Sequence, residues 1–226
     1  MYALFADRKQ AGKQLAKALL RYRNENPVVL AIPRGGVPIG LEVACALDAP
    51  LDIVLVRKIG APFEPELAIA AVVDGDRPET VRNPEATTFP GISDTYMKEE
   101  TARQLAEIER RRALYLGSRP RPQIEGRTAI LVDDGIATGA TVRAALIGVR
   151  RSKPRRLVLA TPVAPPETIE SLRKEADDVV CLASPEPFFA IGQFYETFDQ
   201  LTDAEVIDLL ARSPGVSSNG TGQGAD

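Results

Sequence analysis

Residues 130–145 read ILVDDGIATGATVRAA. The apolar start leads straight into two acids, Asp133 and Asp134, then into a turn carrying Gly135 and Gly139, and a helical pattern begins near Thr141. An uninterrupted apolar run suits a strand buried on both faces, and a strand, glycine turn and helix in succession form half of a βαβ unit. Ligands of open parallel sheets sit beyond the carboxyl ends of the strands, so Asp133 and Asp134 are placed at the rim of a site. The turn that follows offers backbone N–H groups, the hydroxyls of Thr138 and Thr141, and a helix N-terminus, which together can hold a phosphate. Acids would repel a bare phosphate, but they can accept hydrogen bonds from ribose hydroxyls or bind a Mg²⁺ that bridges to phosphate oxygens. The expected ligand is therefore a sugar phosphate.

Working outward, similar apolar runs occur at 28–32 (VVLAI), 51–56 (LDIVLV), 156–163 (RLVLATPV) and 178–183 (DVVCLA), with stretches of helical character between them. The alternation predicts an α/β fold around a parallel sheet. Residues 60–96 break the rhythm with prolines, glycines and one plausible strand pair around 67–73, a long excursion from the sheet. Ser93 or Asp94 then caps a charged amphipathic helix with Leu105, Ile108, Arg112 and Leu116 at helical spacing, in which the arginines at 110–112 are read as a solvated face. This helix is also a candidate interface for a homo-oligomer.

Composition excludes whole classes of chemistry. The 226 residues contain no histidine, so Ser-His-Asp and Cys-His sites, HExxH zinc sites and C2H2 fingers are impossible. Lys and Arg total 28 against 31 Asp and Glu, a net charge of −3, which gives no overall basic field for nucleic acid or anionic membrane. No apolar run reaches the roughly 20 residues of a membrane-spanning helix. The N-terminus becomes charged too early for a secretory signal, and Cys45 and Cys181 lie in apolar sequence as expected for buried reduced thiols, so the expected location is cytoplasmic. Neither GxxxxGK[ST] nor GxGxxG occurs.

The string VDDGIATGAT at 132–141 resembles the phosphoribosyl pyrophosphate loop of the type I phosphoribosyltransferases. The resemblance implies that Asp133 and Asp134 bind the ribose hydroxyls and, directly or through water, Mg²⁺, while Ala137, Thr138, Gly139, Ala140 and Thr141 bind the 5′-phosphate. VVLAIPRGGVPIG at 28–40 is similar to the pyrophosphate-binding loop of that family. Arg34 offers a fork of donors, Gly35 and Gly36 allow close approach of an anion, and relatives often have a non-proline cis peptide where Pro33–Arg34 falls. Arg57 and Lys58, in VRKIG, match a basic pair that the family sets at the base of a closing loop, and are expected to contact pyrophosphate and neutralise transition-state charge.

The same resemblance implies one phosphoribosyltransferase domain over 1–212, with a flexible lid at 60–96, a small C-terminal hood at about 184–212, and a disordered Gly/Ser-rich tail at 213–226. EPFFAIGQFYETF at 186–198 concentrates aromatics, and Phe189, Phe188 and Tyr195, with Phe194, are candidates either to stack on a nucleobase or to pack the core. Glu196 falls near an acidic position of the purine enzymes. Two departures matter: Ala137 replaces the aspartate of the 6-oxopurine enzymes, and strand 157–161 does not end in their lysine. The acceptor therefore stays open. The implied activity is transfer of a phosphoribosyl group from its Mg²⁺-bound pyrophosphate to a nucleobase-like acceptor. The rival is a non-catalytic regulator of the same fold, which would need a DNA-binding segment or a basic face, the latter from arginines at 110–112 and 150–156.

Overall fold

The computed structural model describes residues 3–75, 78–82 and 92–214, with the backbone alone at 65 and 66. Five parallel strands, β1 (Pro27–Ala31), β2 (Leu51–Ile53), β6 (Thr128–Val132), β7 (Arg156–Val163) and β8 (Asp178–Ala183), form a central sheet in the order β2-β1-β6-β7-β8. Side chains alternate across it. Val29, Ala31, Ile130 and Val132 join a core shared with helices α1 (Arg8–Leu19) and α2 (Gly36–Leu47), while Val28, Leu30, Ala129 and Leu131 join one shared with α4 (Ala140–Arg151) and α5 (Pro166–Leu172). Both faces are covered, which is why the strands read as unbroken apolar runs.

The run at 51–56 does not form one strand. Only Leu51–Ile53 pairs with β1, and Val56 opens β3 (Val56–Ala61) of a second, antiparallel sheet with β4 (Glu64–Val73) and β5 (Glu79–Arg82), in the order β3-β4-β5. The described part of the expected lid is thus largely a small sheet; residues 76–77 and 83–91 of the 60–96 segment lie outside the described residues. This sheet is packed hard against α4, where a Cβ at Gly148 would lie 2.6 Å from Cγ1 of Val73.

Helix α3 (Asp94–Leu116) begins at Ser93, whose side chain accepts a hydrogen bond from the Tyr96 amide. Its arginines do not share one solvated face. Arg110 and Arg111 pair outward with Glu107, but Arg112 is only 11% exposed, its Nη2 donating to both carboxylate oxygens of Asp52 and its Nη1 ion-paired to Asp74, whose side chains are 6% and 1% exposed. Arg121 adds a second cation to Asp74. The cluster ties α3 to the end of β2 and to the segment just after β4. The arginines at 150–156 are also paired: Arg150 with Asp177, Arg151 with Glu79, Arg155 and Arg156 with Glu25. They form ion pairs rather than the uncompensated basic face required by the regulator reading.

The thiols are free but not buried as expected: Cys181 is half-buried, and Cys45 is exposed on α2, where the helix turns it away from the sheet. Ordered packing reaches Ser213, which is buried and accepts a hydrogen bond from Arg119; residues 215–226 of the expected tail lie outside the described residues. Among the described residues no helix is long and apolar enough to cross a membrane.

Candidate active site

The register of β1 against β6 builds the site. Ala31 lies opposite Val132, so the chain leaves both strands at the same level and the loops after them run side by side. The Ile32 amide donates to the Val132 carbonyl at 2.9 Å, and the Pro33–Arg34 peptide is cis. A Cβ at Gly36 would lie 2.6 Å from the Val132 carbonyl oxygen, so the start of α2 is set directly on the end of β6.

Asp133 is half-buried, and its Oδ1 accepts from the Asp134 amide at 2.9 Å. Burial, followed by the adjacent Asp134 carboxylate, pushes Asp133 well above the ordinary carboxylate range. Asp134 points elsewhere. Its Oδ2 accepts from Arg8 Nε at 2.7 Å, with the two side chains only 12% and 11% exposed, and burial raises its pKa against the lowering influence of Arg8. Arg8 also donates to the Asp199 carbonyl at 2.9 Å and lies 3.8 Å over the Phe198 ring.

Beyond the acids, Gly139 adopts a left-handed conformation at φ 79°, which allows α4 to start abruptly at Ala140. Thr168 donates to the Ala137 carbonyl at 2.7 Å and braces the turn from α5. Ala137, Thr138, Ala140 and Thr141 stand around the first turn of α4, with Ala137, Thr138 and Thr141 among its exposed positions, as an anion site requires. Arg34 stands on the neighbouring loop, 3.9 Å from Asp203 of α6 (Asp203–Ala211). Tyr115 donates to the same carboxylate at 2.6 Å, and its own pKa is pushed up to about 12 by burial and by that bond.

The structure thus brings Arg34, Gly35, Gly36, Asp133, Asp134 and the 137–141 turn to the carboxyl ends of the neighbouring strands β1 and β6. Arg57 and Lys58 stand apart in context, at the start of β3 in the small sheet. The described bond of Arg57 runs from Nε to Gln104 of α3 at 3.0 Å, and not to the acids.

The hood aromatics divide. Phe194 is fully buried with Phe188 at 4.9 Å between ring centroids. Tyr195 is excluded as a stacking residue: it is buried, its ring packs against Phe5 and Phe198, and its hydroxyl donates to the Asp134 carbonyl at 2.5 Å. Phe189, by contrast, is 82% exposed. Ile191 fills the space beside Gly135, where a Cβ would come within 2.4 Å of it, so the hood is seated on the loop between β6 and α4.

The N-terminal segment is part of this hood, which the sequence reading missed. The Leu4 and Phe5 amides donate to the Phe194 carbonyl, and the Glu196 and Thr197 amides donate back to Phe5 and Ala6. This pairing carries α1 and Arg8 to the site. A local signal existed in Asp7, which caps α1 by accepting from the Gln10 amide and so places Arg8 at the first helical position; its partner, 126 residues away, left none.

Mg²⁺ typically uses one or two carboxylates and completes its shell with water and substrate phosphates. Asp133, whose described hydrogen bond comes from a backbone amide and from no cation, meets that requirement. Among the described residues no cluster of three or more acids, cysteines or histidines forms a metal cage.

A family model for the phosphoribosyl transferase domain matches residues 4–196. The chain belongs to the phosphoribosyltransferase family, and its α/β architecture is the fold expected of the type I members. Over 210 residues it is 43% identical to proteins named "Putative phosphoribosyl transferase" in two Mycobacterium tuberculosis strains, CDC 1551 / Oshkosh and ATCC 25618 / H37Rv. That match covers 93% of this chain and 47% of each relative, so the chain spans about half the length of those curated relatives. The crystal structure of the TT1426 protein from Thermus thermophilus is 44% identical, with a TM-score of 0.81, covering 93% of this chain and 99% of that one.

Proposed function

We propose that this chain transfers the 5-phosphoribosyl group from Mg²⁺-bound phosphoribosyl pyrophosphate to a ring nitrogen of a nucleobase-like acceptor, releasing pyrophosphate. The observation that carries the reading is the shared exit of β1 and β6, which sets a cationic glycine loop, an acid and a helix-start phosphate turn within one ligand's reach. The α4 turn holds the 5′-phosphate, Asp133 accepts from the ribose hydroxyls, and Arg34 with the backbone of Gly35 and Gly36 receives the pyrophosphate. Asp133 would hold the Mg²⁺ that accompanies the donor, and the ion would supply charge neutralisation on the leaving group.

In the reaction the acceptor nitrogen forms a bond to C1 as the C1–oxygen bond breaks and its electron pair leaves with pyrophosphate. The acceptor's proton is released to pyrophosphate or solvent. The protein contributes alignment and charge, and no covalent nucleophile is required. Arg57 and Lys58 contribute positive charge toward the pyrophosphate, and Phe189 supplies the exposed ring for the base. The test is pyrophosphate release from phosphoribosyl pyrophosphate with Mg²⁺ across a panel of nucleobases, each against a control without acceptor. Acceptor-dependent release establishes the activity. Metal-dependent donor binding without release by any acceptor would favour the non-catalytic regulator, and absence of donor binding would overturn the reading of the site.

A further inference from the structure

The two acids at the end of β6 are chemically equivalent in sequence, yet the structure treats them differently. Asp133 is half-buried, and the only described hydrogen bond to its carboxylate comes from the next residue's backbone. Asp134 has its carboxylate nearly enclosed, ion-paired to Arg8, and pressed on the loop after β1 so closely that a Cβ at residue 35 would lie 1.9 Å from Oδ2. Its backbone carbonyl is held by the Tyr195 hydroxyl. Arg8 continues the chain of contacts to Phe198 and the Asp199 carbonyl.

We propose that the acids divide the work: Asp133 binds the donor ribose, whereas Asp134 and Arg8 form a clamp that fixes the pyrophosphate loop, the hood and Asp133 relative to one another. Arg8 is then a positioning residue, acting through Asp134. The inference rests on the donor reading above but goes beyond the family resemblance, which alone would give both acids to the ribose. Three elements meet at the clamp: the Gly35 loop that receives the leaving group, the strand end that carries Asp133, and the hood that carries the acceptor side. A buried guanidinium spanning a carboxylate, a carbonyl and a ring fixes all three at once, a geometry that a lysine cannot reproduce.

The test measures Mg²⁺-dependent binding of phosphoribosyl pyrophosphate by calorimetry, together with the melting temperature, for Asp133→Asn, Asp134→Asn, Arg8→Ala, Arg8→Lys and the Arg8→Ala/Asp134→Asn double variant. Asp133→Asn is expected to weaken donor binding at least about tenfold with an unchanged melting temperature. Asp134→Asn and Arg8→Ala are expected to lower the melting temperature and also to weaken donor binding at temperatures where both remain folded. The double variant should bind the donor no worse than the weaker single, because partners acting as one unit are non-additive. Arg8→Lys should recover part of the lost affinity. If Asp134→Asn loses as much affinity as Asp133→Asn with no change in melting, or if Arg8→Ala binds the donor as the wild type does, the division is overturned. Should Arg8→Ala fail to fold, Arg8→Lys and Asp134→Asn decide the matter. Wild-type protein that binds no donor would overturn the donor reading itself, a result separate from wild-type binding with equivalent acids.

Discussion

Gly35 and Asp134 approach so closely that a methyl group on the first would lie 1.9 Å from a carboxylate oxygen of the second. Gly35 has φ −62° and ψ −34°, a conformation open to any residue, so proximity rather than backbone freedom demands glycine here. Gly35→Ala is expected to expel the Asp134 carboxylate from its place beside Arg8. The expected result is a fall in melting temperature of several degrees, as for a lost buried interaction in a domain of this size, with loss of donor binding. Differential scanning calorimetry and donor titration check both.

Arg112 and Arg110 are two residues apart on α3 and should behave in opposite ways. Removing the guanidinium in Arg112→Met strands the buried carboxylate of Asp52 and leaves that of Asp74 with Arg121, and the expected cost is about 3–5 kcal/mol. Arg110→Ala should leave the urea midpoint essentially unchanged, because an exposed pair contributes little. Urea denaturation of the two variants makes the comparison.

Acid should weaken the fold through Asp177 and Asp178. Arg150 beside Asp177, and the Tyr22 hydroxyl beside Asp178, hold both carboxyls below their ordinary value of 3.8. The unfolded chain then binds protons more readily as pH falls, so the stabilisation is complete above that value and is lost as pH drops through the lower folded values. An Asp177→Asn/Asp178→Asn variant should be less stable at neutral pH and show a shallower acid limb. Urea midpoints measured from neutral pH down through the acid limb report the difference.

Tyr195 and Phe189 separate core from acceptor site. Tyr195→Phe leaves the buried Asp134 carbonyl without its donor and is expected to cost about 1–3 kcal/mol of stability. Phe189→Ala, at a ring that is 82% exposed, should leave the melting curve unchanged and raise KM for the acceptor several-fold. Thermal melts and acceptor kinetics together assign each role.

Much of this architecture was legible from local pattern. The unbroken apolar runs at 28–32, 128–132, 156–163 and 178–183 became parallel strands, and the glycine turn after Asp134 leads into a helix where expected. The illegible parts depend on partners distant in sequence. Nothing in LDIVLV marks the point where the chain leaves one sheet for another, since Val54, Leu55 and Val56 are as apolar as what precedes them. Arg112 has the helical spacing of a core position, between Ile108 and Leu116, yet its acids lie 60 and 38 residues away. The hood aromatics could not be sorted either, because the ring that covers Tyr195 from one side is Phe5, at the other end of the chain.

The contact between Gly148 and Val73 bears on any attempt to recombine this protein with its relatives. Helix α4 begins at the 137–141 turn and is met in its third turn by the small antiparallel sheet, with no room for even one added methyl group. Chimeras that exchange residues 56–82 alone would set a foreign strand on a helix shaped for another. A workable graft would have to carry the matching turn of α4 with it, so the small sheet and the helix it packs against form one unit of exchange.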